Sequence, residues 1–300
     1  MDISAQPRFS FWIGGLGLTV DLSSVGCLLD INDCPPLAAF TQPYANISPD
    51  YELTLQLETQ VAPELVHEID PAPQSWYYSR TADQLELLFR PPLQTGGWTH
   101  QLILDLAHNS GLLRLANTQA GQVIKYLELF PAFLDKFIFT ALLEQVGGFF
   151  LHAAAVADGG QGLVLVGESG AGKSTISRLW QEFGGSGVIG LTDESTILRQ
   201  KSAGEFWVYG TPWPSSANIA HPAGVPLSRL YFLEHAPQNF TEPLDFQTAL
   251  LKLLSQSQLP VWDNAATAQS LDFIINMLQT YPAYRLGFKP DNEVVNFIRE

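Results

Sequence analysis

Residues 166–175 read VGESGAGKST, and this stretch decides how the second half of the chain is expected to fold. From Gly167 to Ser174 it fits the pattern G-x-x-x-x-G-K-[ST] at every position. Its glycines permit backbone dihedrals that side chains forbid, so backbone amides can converge on an anion. An apolar run at 163–166 predicts a strand leading into it, and a helix is predicted to begin near Gly172. The stretch therefore predicts a loop that binds the phosphates of a nucleotide.

The loop residues have different expected roles. Lys173 is expected to reach the β and γ phosphates, and the Ser174 hydroxyl is expected to bind Mg²⁺. The predicted ligands are thus ATP and Mg²⁺. The residues expected to bind the nucleotide are Gly167, Glu168, Ser169, Gly170, Ala171, Gly172, Lys173, Ser174 and Thr175.

Two acids, Asp193 and Glu194, follow the next apolar strand (VIGLT, 188–192). A strand-helix-strand unit returns the end of that strand beside the phosphates, where phosphoryl transfer needs carboxylates for a metal and for a proton. Neighbouring strand residues point to opposite faces, so both acids reach the site only if the strand gives way to a loop. The alternative is a pair of solvated acids at a strand end.

His152 interrupts the apolar run at 149–157, which is predicted as a strand. Asp158-Gly159-Gly160 is a turn signal, and a two-residue turn at Gly159-Gly160 pairs residues whose numbers add to 319. His152 then faces Gly167. This position predicts that His152 is a partner of Asp193 or of the transferred phosphate. A structural histidine is the alternative. An antiparallel strand beside the loop's strand also predicts a mixed sheet.

Composition excludes several classes of protein. The 300 residues are 46% hydrophobic, and 30 acidic against 15 basic residues give a net charge of -15. Such a surface repels nucleic acid and anionic membranes. No signal peptide and no long apolar run is evident, which predicts a cytoplasmic protein without a membrane partner. The two cysteines, Cys27 and Cys34, are expected to be ordinary thiols.

The chain is predicted to have two domains joined by a helical segment. Residues 1–125 contain alternating strand patterns such as YELTLQLE and HQLILD and form a β-rich α+β accessory domain. Residues 126–147 form a connecting helical segment around Pro131, and residues 148–300 form the α/β domain that carries the loop. The apolar stripe of the segment is expected to comprise Phe133, Leu134, Phe137, Ile138, Ala141, Leu142 and Val146.

The order LHAAAV, GESGAGKST and LTDES resembles the catalytic domain of HPr kinase/phosphorylase over roughly residues 148–298. GTPW at 210–213, RLYFLE and the closing AYRLGFKPDNEVVNFI resemble a subgroup from peptide-modification gene cassettes, which includes lasso-peptide kinases and SynChlorMet cassette proteins. The resemblance implies a mixed-sheet P-loop fold of the phosphoenolpyruvate carboxykinase type. It also implies an ATP- and Mg²⁺-dependent kinase for a serine hydroxyl.

Carried over to this chain, the resemblance implies Asp193 as base for the acceptor hydroxyl, Glu194 as metal ligand with Asp193 and Ser174, and His152 nearby. The catalytic residues would be Asp193, His152 and Lys173. The family's pair is usually two aspartates, whereas the second acid here is Glu194. The basic, glycine-rich segment needed for phosphorylase activity is not found, so neither that activity nor HPr as acceptor is expected. HPr kinases are hexamers, which leaves a homo-oligomer open.

The leading hypothesis is a kinase that phosphorylates a hydroxyl of a peptide or small molecule. The alternative is a nucleotide-binding, weakly active or inactive partner subunit of a peptide-modification complex. A P-loop ATPase or GTPase switch is the weakest, since no NKxD motif and no arginine finger is evident. Trp213 and Pro214 either line the acceptor pocket or pack in a turn, and Arg229 is either a phosphate contact or a surface cation. His221 and His235 are interpreted as loop residues.

Overall fold

The apolar and alternating segments of the sequence become a mixed α/β protein with two compact units in the computed structural model. The structure describes residues 5–41, 49–64, 75–91, 97–260 and 262–300. The N-terminal unit comprises Met1–Trp12 and Leu16–Leu142, and the C-terminal unit comprises Ile13–Gly15 and Leu143–Glu300. No helix in the described ranges is long and apolar enough to cross a membrane.

The N-terminal unit is built on a seven-stranded sheet with the order β1-β2-β4-β8-β7-β6-β5. The sheet is mixed, because β4 pairs in parallel with β2 and β8 while β5 to β8 form antiparallel neighbours. The short strands β3 and β9 pair separately. The strands are β1 (Arg8–Ile13), β2 (Leu16–Asp21), β3 (Leu28–Asp30), β4 (Tyr51–Glu58), β5 (Trp76–Arg80), β6 (Gln84–Phe89), β7 (His100–Asp105), β8 (Ser110–Ala116) and β9 (Val123–Lys125).

Alternation along the strands builds the core of the N-terminal unit. In β4, Tyr51, Leu53 and Leu55 are buried while the residues between them are only partly buried, as expected for a sheet with one apolar face. Short 3-10 helices lie at Ser23–Val25 and Pro35–Phe40. Both cysteines are free thiols, and burial raises the pKa of Cys34 to about 11.

The segment predicted around Pro131 forms α1 (Tyr126–Leu129), a 3-10 turn (Pro131–Phe133) and α2 (Leu134–Val146). The placement of Phe133 in the apolar stripe is wrong: its side chain is 69% exposed. The reason is that Pro131 starts a separate turn, which leaves Phe133 at φ 73° before α2 begins. Four other predicted members of the stripe are buried: Leu134, Ile138, Ala141 and Leu142. Gly147 follows α2 in a left-handed conformation.

The C-terminal unit is built on a ten-stranded mixed sheet. The main path runs β13-β11-β12-β16-β15-β14-β10-β18, and β19 pairs with both β16 and β17. The strands are β10 (Gly148–Leu151), β11 (Ala153–Asp158), β12 (Gln161–Val166), β13 (Val188–Thr192), β14 (Thr196–Ser202), β15 (Glu205–Tyr209), β16 (Gly224–His235), β17 (Phe240–Pro243), β18 (Ser257–Gln258) and β19 (Ala283–Phe288).

Helices cover both faces of this sheet, which explains why its central strands are apolar throughout. On one face, α3 (Lys173–Phe183) and α6 (Glu293–Arg299) pack on Ala154, Val156 and Leu165. On the other face, α4 (Phe246–Gln256) and α5 (Asn264–Thr280) pack on the alternate residues of the same strands. The core therefore lies in two layers that sandwich β11 and β12.

The predicted hairpin is confirmed in turn and register. Ala153 pairs with Val166 and Asp158 with Gln161, so the partners add to 319 as predicted. Gly159 and Gly160 have φ 56° and 80°, as a two-residue hairpin turn of the I′ type requires. Because β11 is antiparallel to β12 while β12 and β16 are parallel, the prediction of a mixed sheet is also confirmed.

The prediction that His152 lies inside one apolar strand is wrong. The run divides into β10 and β11, and His152 occupies the single position between them. The two strands have different neighbours: β10 pairs with β14 and β18, and β11 pairs with β12 and β13. The chain must leave one ladder before it joins the other, and the His152 amide donates to the Gln256 carbonyl at this point.

Candidate functional site

The glycine-rich loop (residues 167–175) begins where β12 ends at Val166 and runs into the first turn of α3, which begins at Lys173. Gly170 and Gly172 have φ 85° and 97°, a conformation that favours glycine. A Cβ on Gly172 would also lie 2.6 Å from the Phe288 ring. Strand, loop and helix N-terminus thus follow one another in the order that anion binding by backbone amides requires.

Lys173 lies at the centre of the glycine-rich loop. Its side chain is buried, and Nζ donates to the carbonyl oxygens of Gly167 at 2.6 Å and Glu168 at 3.2 Å. Burial lowers the pKa of Lys173, and the nearby Glu194 carboxylate opposes that effect. The ammonium group is therefore held inside the loop, where it can neutralise phosphate.

The acidic pair lies in a turn, because β13 ends at Thr192 and β14 begins at Thr196. Asp193 is fully buried, and its carboxylate accepts hydrogen bonds from three backbone amides. The Ser174 hydroxyl donates to Asp193 Oδ2 at 3.4 Å. Asp193 therefore connects the first turn of α3 to the segment that supplies those amides, which are those of Ser215, Ala217 and Ile219.

Glu194 has a different environment from Asp193, although the two are adjacent. Its Oε1 lies 3.4 Å from His152 Nδ1, and both side chains remain a little over one-third exposed. Since Ala153 pairs with Val166, His152 stands one residue beyond the ladder, as Gly167 does on the opposite strand. The break between β10 and β11 and the turn after β13 thus bring a carboxylate and an imidazole together.

An open cleft of 570 Å³ lies over the glycine-rich loop, and we call it the loop cleft. Glu194, His152 and Lys173 all line it, so the structure brings together residues that are far apart in sequence. Its lining comprises His152, Ser169, Gly170, Gly172, Lys173, Ser174, Thr175, Glu194, Ser215, Ser216 and His235. Three loop residues, Gly167, Glu168 and Ala171, line a separate 280 Å³ cleft instead.

Ser215 and Ser216 line the loop cleft, although their sequence pattern did not predict it. His235 also lines it, and its interpretation as a loop residue is wrong, because it is the last residue of β16. The serines belong to a segment held by Asp193 and by Arg178, whose Nη2 donates to the Ser216 carbonyl at 2.8 Å. The segment GTPWPSS was predicted as a possible pocket lining only through Trp213 and Pro214, and the spacing of its two serines does not favour a ligand. His235 reaches the loop only because β16 ends beside β12.

The two open sequence interpretations concern Trp213 and Arg229. The Trp213 ring packs edge-on against Phe150, with ring centroids 5.7 Å apart. The Arg229 guanidinium donates to the Tyr231 hydroxyl and to the Ile298 carbonyl. Neither side chain lines the loop cleft, so the structure favours the packing role for Trp213 and a structural role for Arg229.

The oxygen donors at the loop cleft suit a hard cation. Among the described residues, no group of three or more His, Cys, Asp or Glu side chains is placed to hold a metal ion. Ser174 and Glu194 instead offer one hydroxyl and one carboxylate in the cleft, while the buried Asp193 accepts a hydrogen bond from Ser174. That set fits Mg²⁺, which takes one or two carboxylates and completes its shell with phosphate oxygens and water.

The chain matches no model of a known protein family, and a comparison with curated proteins gives no significant match.

Proposed function

We propose that this protein is an ATP- and Mg²⁺-dependent kinase that transfers the γ-phosphoryl group to a serine or similar hydroxyl of a peptide or small molecule. One observation carries the proposal. The glycine-rich loop, with Ser174 bonded to Asp193, shares the loop cleft with a His152–Glu194 pair. Such a pair can accept the proton that an attacking hydroxyl loses during phosphoryl transfer.

The finer fold assignment is part of this proposal. The sheet has an antiparallel hairpin partner, β11, directly before the loop's strand β12, and parallel neighbours on the other side. This arrangement supports a P-loop unit of the phosphoenolpyruvate carboxykinase and HPr kinase type. The motifs GTPW, RLYFLE and AYRLGFKPDNEVVNFI, which lie in the same unit, support the peptide-modification subgroup as the source of the acceptor.

Each residue then has a task. The amides of the glycine-rich loop and Lys173 bind the β and γ phosphates, and Ser174, held by Asp193, would bind Mg²⁺ together with phosphate oxygens and water. The metal, when bound, neutralises charge that develops on the phosphate oxygens. As the acceptor oxygen bonds to phosphorus and the bond to ADP breaks, the acceptor proton must leave. We assign its uptake to Glu194 assisted by His152.

Asp193 receives a different task from the one expected from sequence. Its carboxylate is buried and already accepts three amide hydrogen bonds and that of Ser174. Little of its capacity is left for a substrate proton, so we assign it to holding Ser174 and the 215–219 segment. Glu194 has the exposure that a proton acceptor needs. The cytoplasm, where ATP is available, is the proposed location.

The test is incubation of the full chain with Mg-ATP and serine-containing candidate peptides, followed by mass spectrometry. A phosphorylated peptide that disappears with EDTA and with Glu194→Gln supports the kinase. ATP binding without product on any peptide supports the alternative, a nucleotide-binding partner subunit. Absence of ATP binding by the wild-type chain overturns both.

A further inference from the structure

His235 contacts the tip of the glycine-rich loop. It is the last residue of β16, which runs parallel to β12 with Val166 paired to Phe232. The two strands therefore end at the same edge of the sheet. His235 Nε2 lies 2.9 Å from the Gly170 carbonyl oxygen. Because a carbonyl oxygen can only accept, Nε2 must carry the hydrogen.

The contact holds one end of a peptide group whose other end is also held. The peptide between Gly170 and Ala171 presents its carbonyl to His235, and the Ala171 amide donates to the Glu168 carbonyl at 3.1 Å. Outside Gly170 and its two chain neighbours, no described atom lies within 4 Å of the place a Gly170 Cβ would occupy. Hydrogen bonds therefore hold both ends of this peptide group.

The imidazole is itself held by the sheet. His235 pairs with Phe288 in the β16–β19 ladder, and the two rings lie 5.9 Å apart at an angle of 32°. Phe288 also contacts the glycine-rich loop at Gly172. His235 thus reaches the loop from a strand end rather than from a mobile connection, which makes its placement precise.

We infer that His235 is a positioning residue that keeps the glycine-rich loop in its phosphate-binding conformation before the nucleotide arrives. With the Gly170 carbonyl turned toward His235, the loop need not reorient that peptide when phosphate binds, and preorganisation of this kind raises affinity. The inference rests on the proposed function for its effect on ATP. The hydrogen bond itself can be tested without nucleotide.

The first test compares Mg-ATP and Mg-tripolyphosphate binding by calorimetry for the wild type, His235→Ala and His235→Gln. We expect His235→Ala to weaken both ligands by about two- to tenfold, the value of one hydrogen bond. His235→Gln should restore most of the affinity, because its amide can donate to Gly170. The exposed His108, which bonds Asp105 in the N-terminal unit, provides the control variant His108→Ala.

The second test is hydrogen exchange of the 167–172 amides in the nucleotide-free chain. Faster exchange in His235→Ala, with slow exchange restored in His235→Gln, supports the positioning role. This holds even if the wild type binds no ATP, because the absence of ATP binding would overturn only the proposed function. Unchanged exchange in His235→Ala overturns the inference. So does failure of His235→Gln to restore slow exchange, because the ring's packing on Phe288 would then be its role. In a turnover assay KM should rise while kcat stays constant.

Discussion

At the scale of single residues, the two adjacent acids differ more than any sequence pattern suggests. Asp193 is buried among backbone amides, whereas Glu194 is partly exposed beside His152. The difference arises because the chain turns between β13 and β14, so consecutive side chains leave the sheet in different directions. We therefore propose two different roles for these neighbouring carboxylates, a structural role for Asp193 and a chemical role for Glu194.

Substitution separates these two purposes. Glu194→Gln should lower phosphoryl transfer about 100-fold or more, the usual effect of a missing general base, while stability and ATP binding change little.

Asp193→Asn should lower the free energy of unfolding by about 1–3 kcal/mol, because its amide would face the N–H of Ala217 or Ser215. Transfer assays and urea titrations measure both. An Asp193→Asn variant of wild-type stability would contradict the assignment.

At the scale of elements, the hairpin of β11 and β12 is the feature that the sequence predicted best. Its register depends on two glycines and an apolar alternation within a few residues, all of which are local. The strands β14, β10 and β18 form the other half of the sheet and were not predicted as neighbours. Their pairing joins residues such as Leu151 and Ser257, and nothing in either short segment specifies so distant a partner.

Substitution of Gly159 in the hairpin turn tests the effect of backbone conformation on stability separately from the effect of packing. Outside Gly159 and its two chain neighbours, no described atom lies within 4 Å of a Cβ on Gly159, yet its φ is 56°. Gly159→Val should therefore lower the free energy of unfolding by about 1–2 kcal/mol through backbone strain alone. Gly159→Asn is the matched control and should be nearly neutral, because Asn-Gly suits this turn. Equal urea midpoints for the two variants would show that the turn does not depend on a left-handed residue.

A second element-scale prediction concerns β7 and α1 in the N-terminal unit. Burial lowers the pKa of His100, and its bond to the Glu128 carbonyl opposes this only in part. The folded state therefore favours the neutral ring. As the pH falls through about 6.5, the unfolded chain binds a proton that the folded chain resists, so the free energy of unfolding should fall.

His100→Gln should reduce that loss of stability between about pH 7 and pH 5, measured by urea unfolding at several pH values. His108→Gln removes a ring that is 78% exposed and serves as the control for loss of an imidazole from the same unit. If His100→Gln retains the full pH dependence, the acid sensitivity belongs to other groups.

At the scale of the whole molecule, net charge opposes the proposed ligand. The chain carries a net charge of -15, and ATP is also an anion. Salt screens this repulsion, since the Debye length falls from about 30 Å at 0.01 M to about 8 Å at 0.15 M. The association rate constant for ATP should therefore rise over this range, as measured by stopped flow.

Adenosine, which is uncharged, should show no such salt dependence and provides the control. An association rate constant for ATP that falls steadily with salt would mean that the local field of Lys173 outweighs that of the whole surface.

The sequence by itself determined the glycine-rich loop, the hairpin beside it and the α/β class of the C-terminal unit. The loop and the hairpin depend on residues 153–175, where dihedral preferences and apolar spacing act directly, and the α/β class depends on the alternation of apolar strand and helix patterns along the unit. Only the tertiary structure decided which acid faces the loop cleft, where the strand breaks at His152, and that His235 reaches Gly170. Those outcomes depend on strand order, which is set by packing among distant segments, and no local preference encodes it.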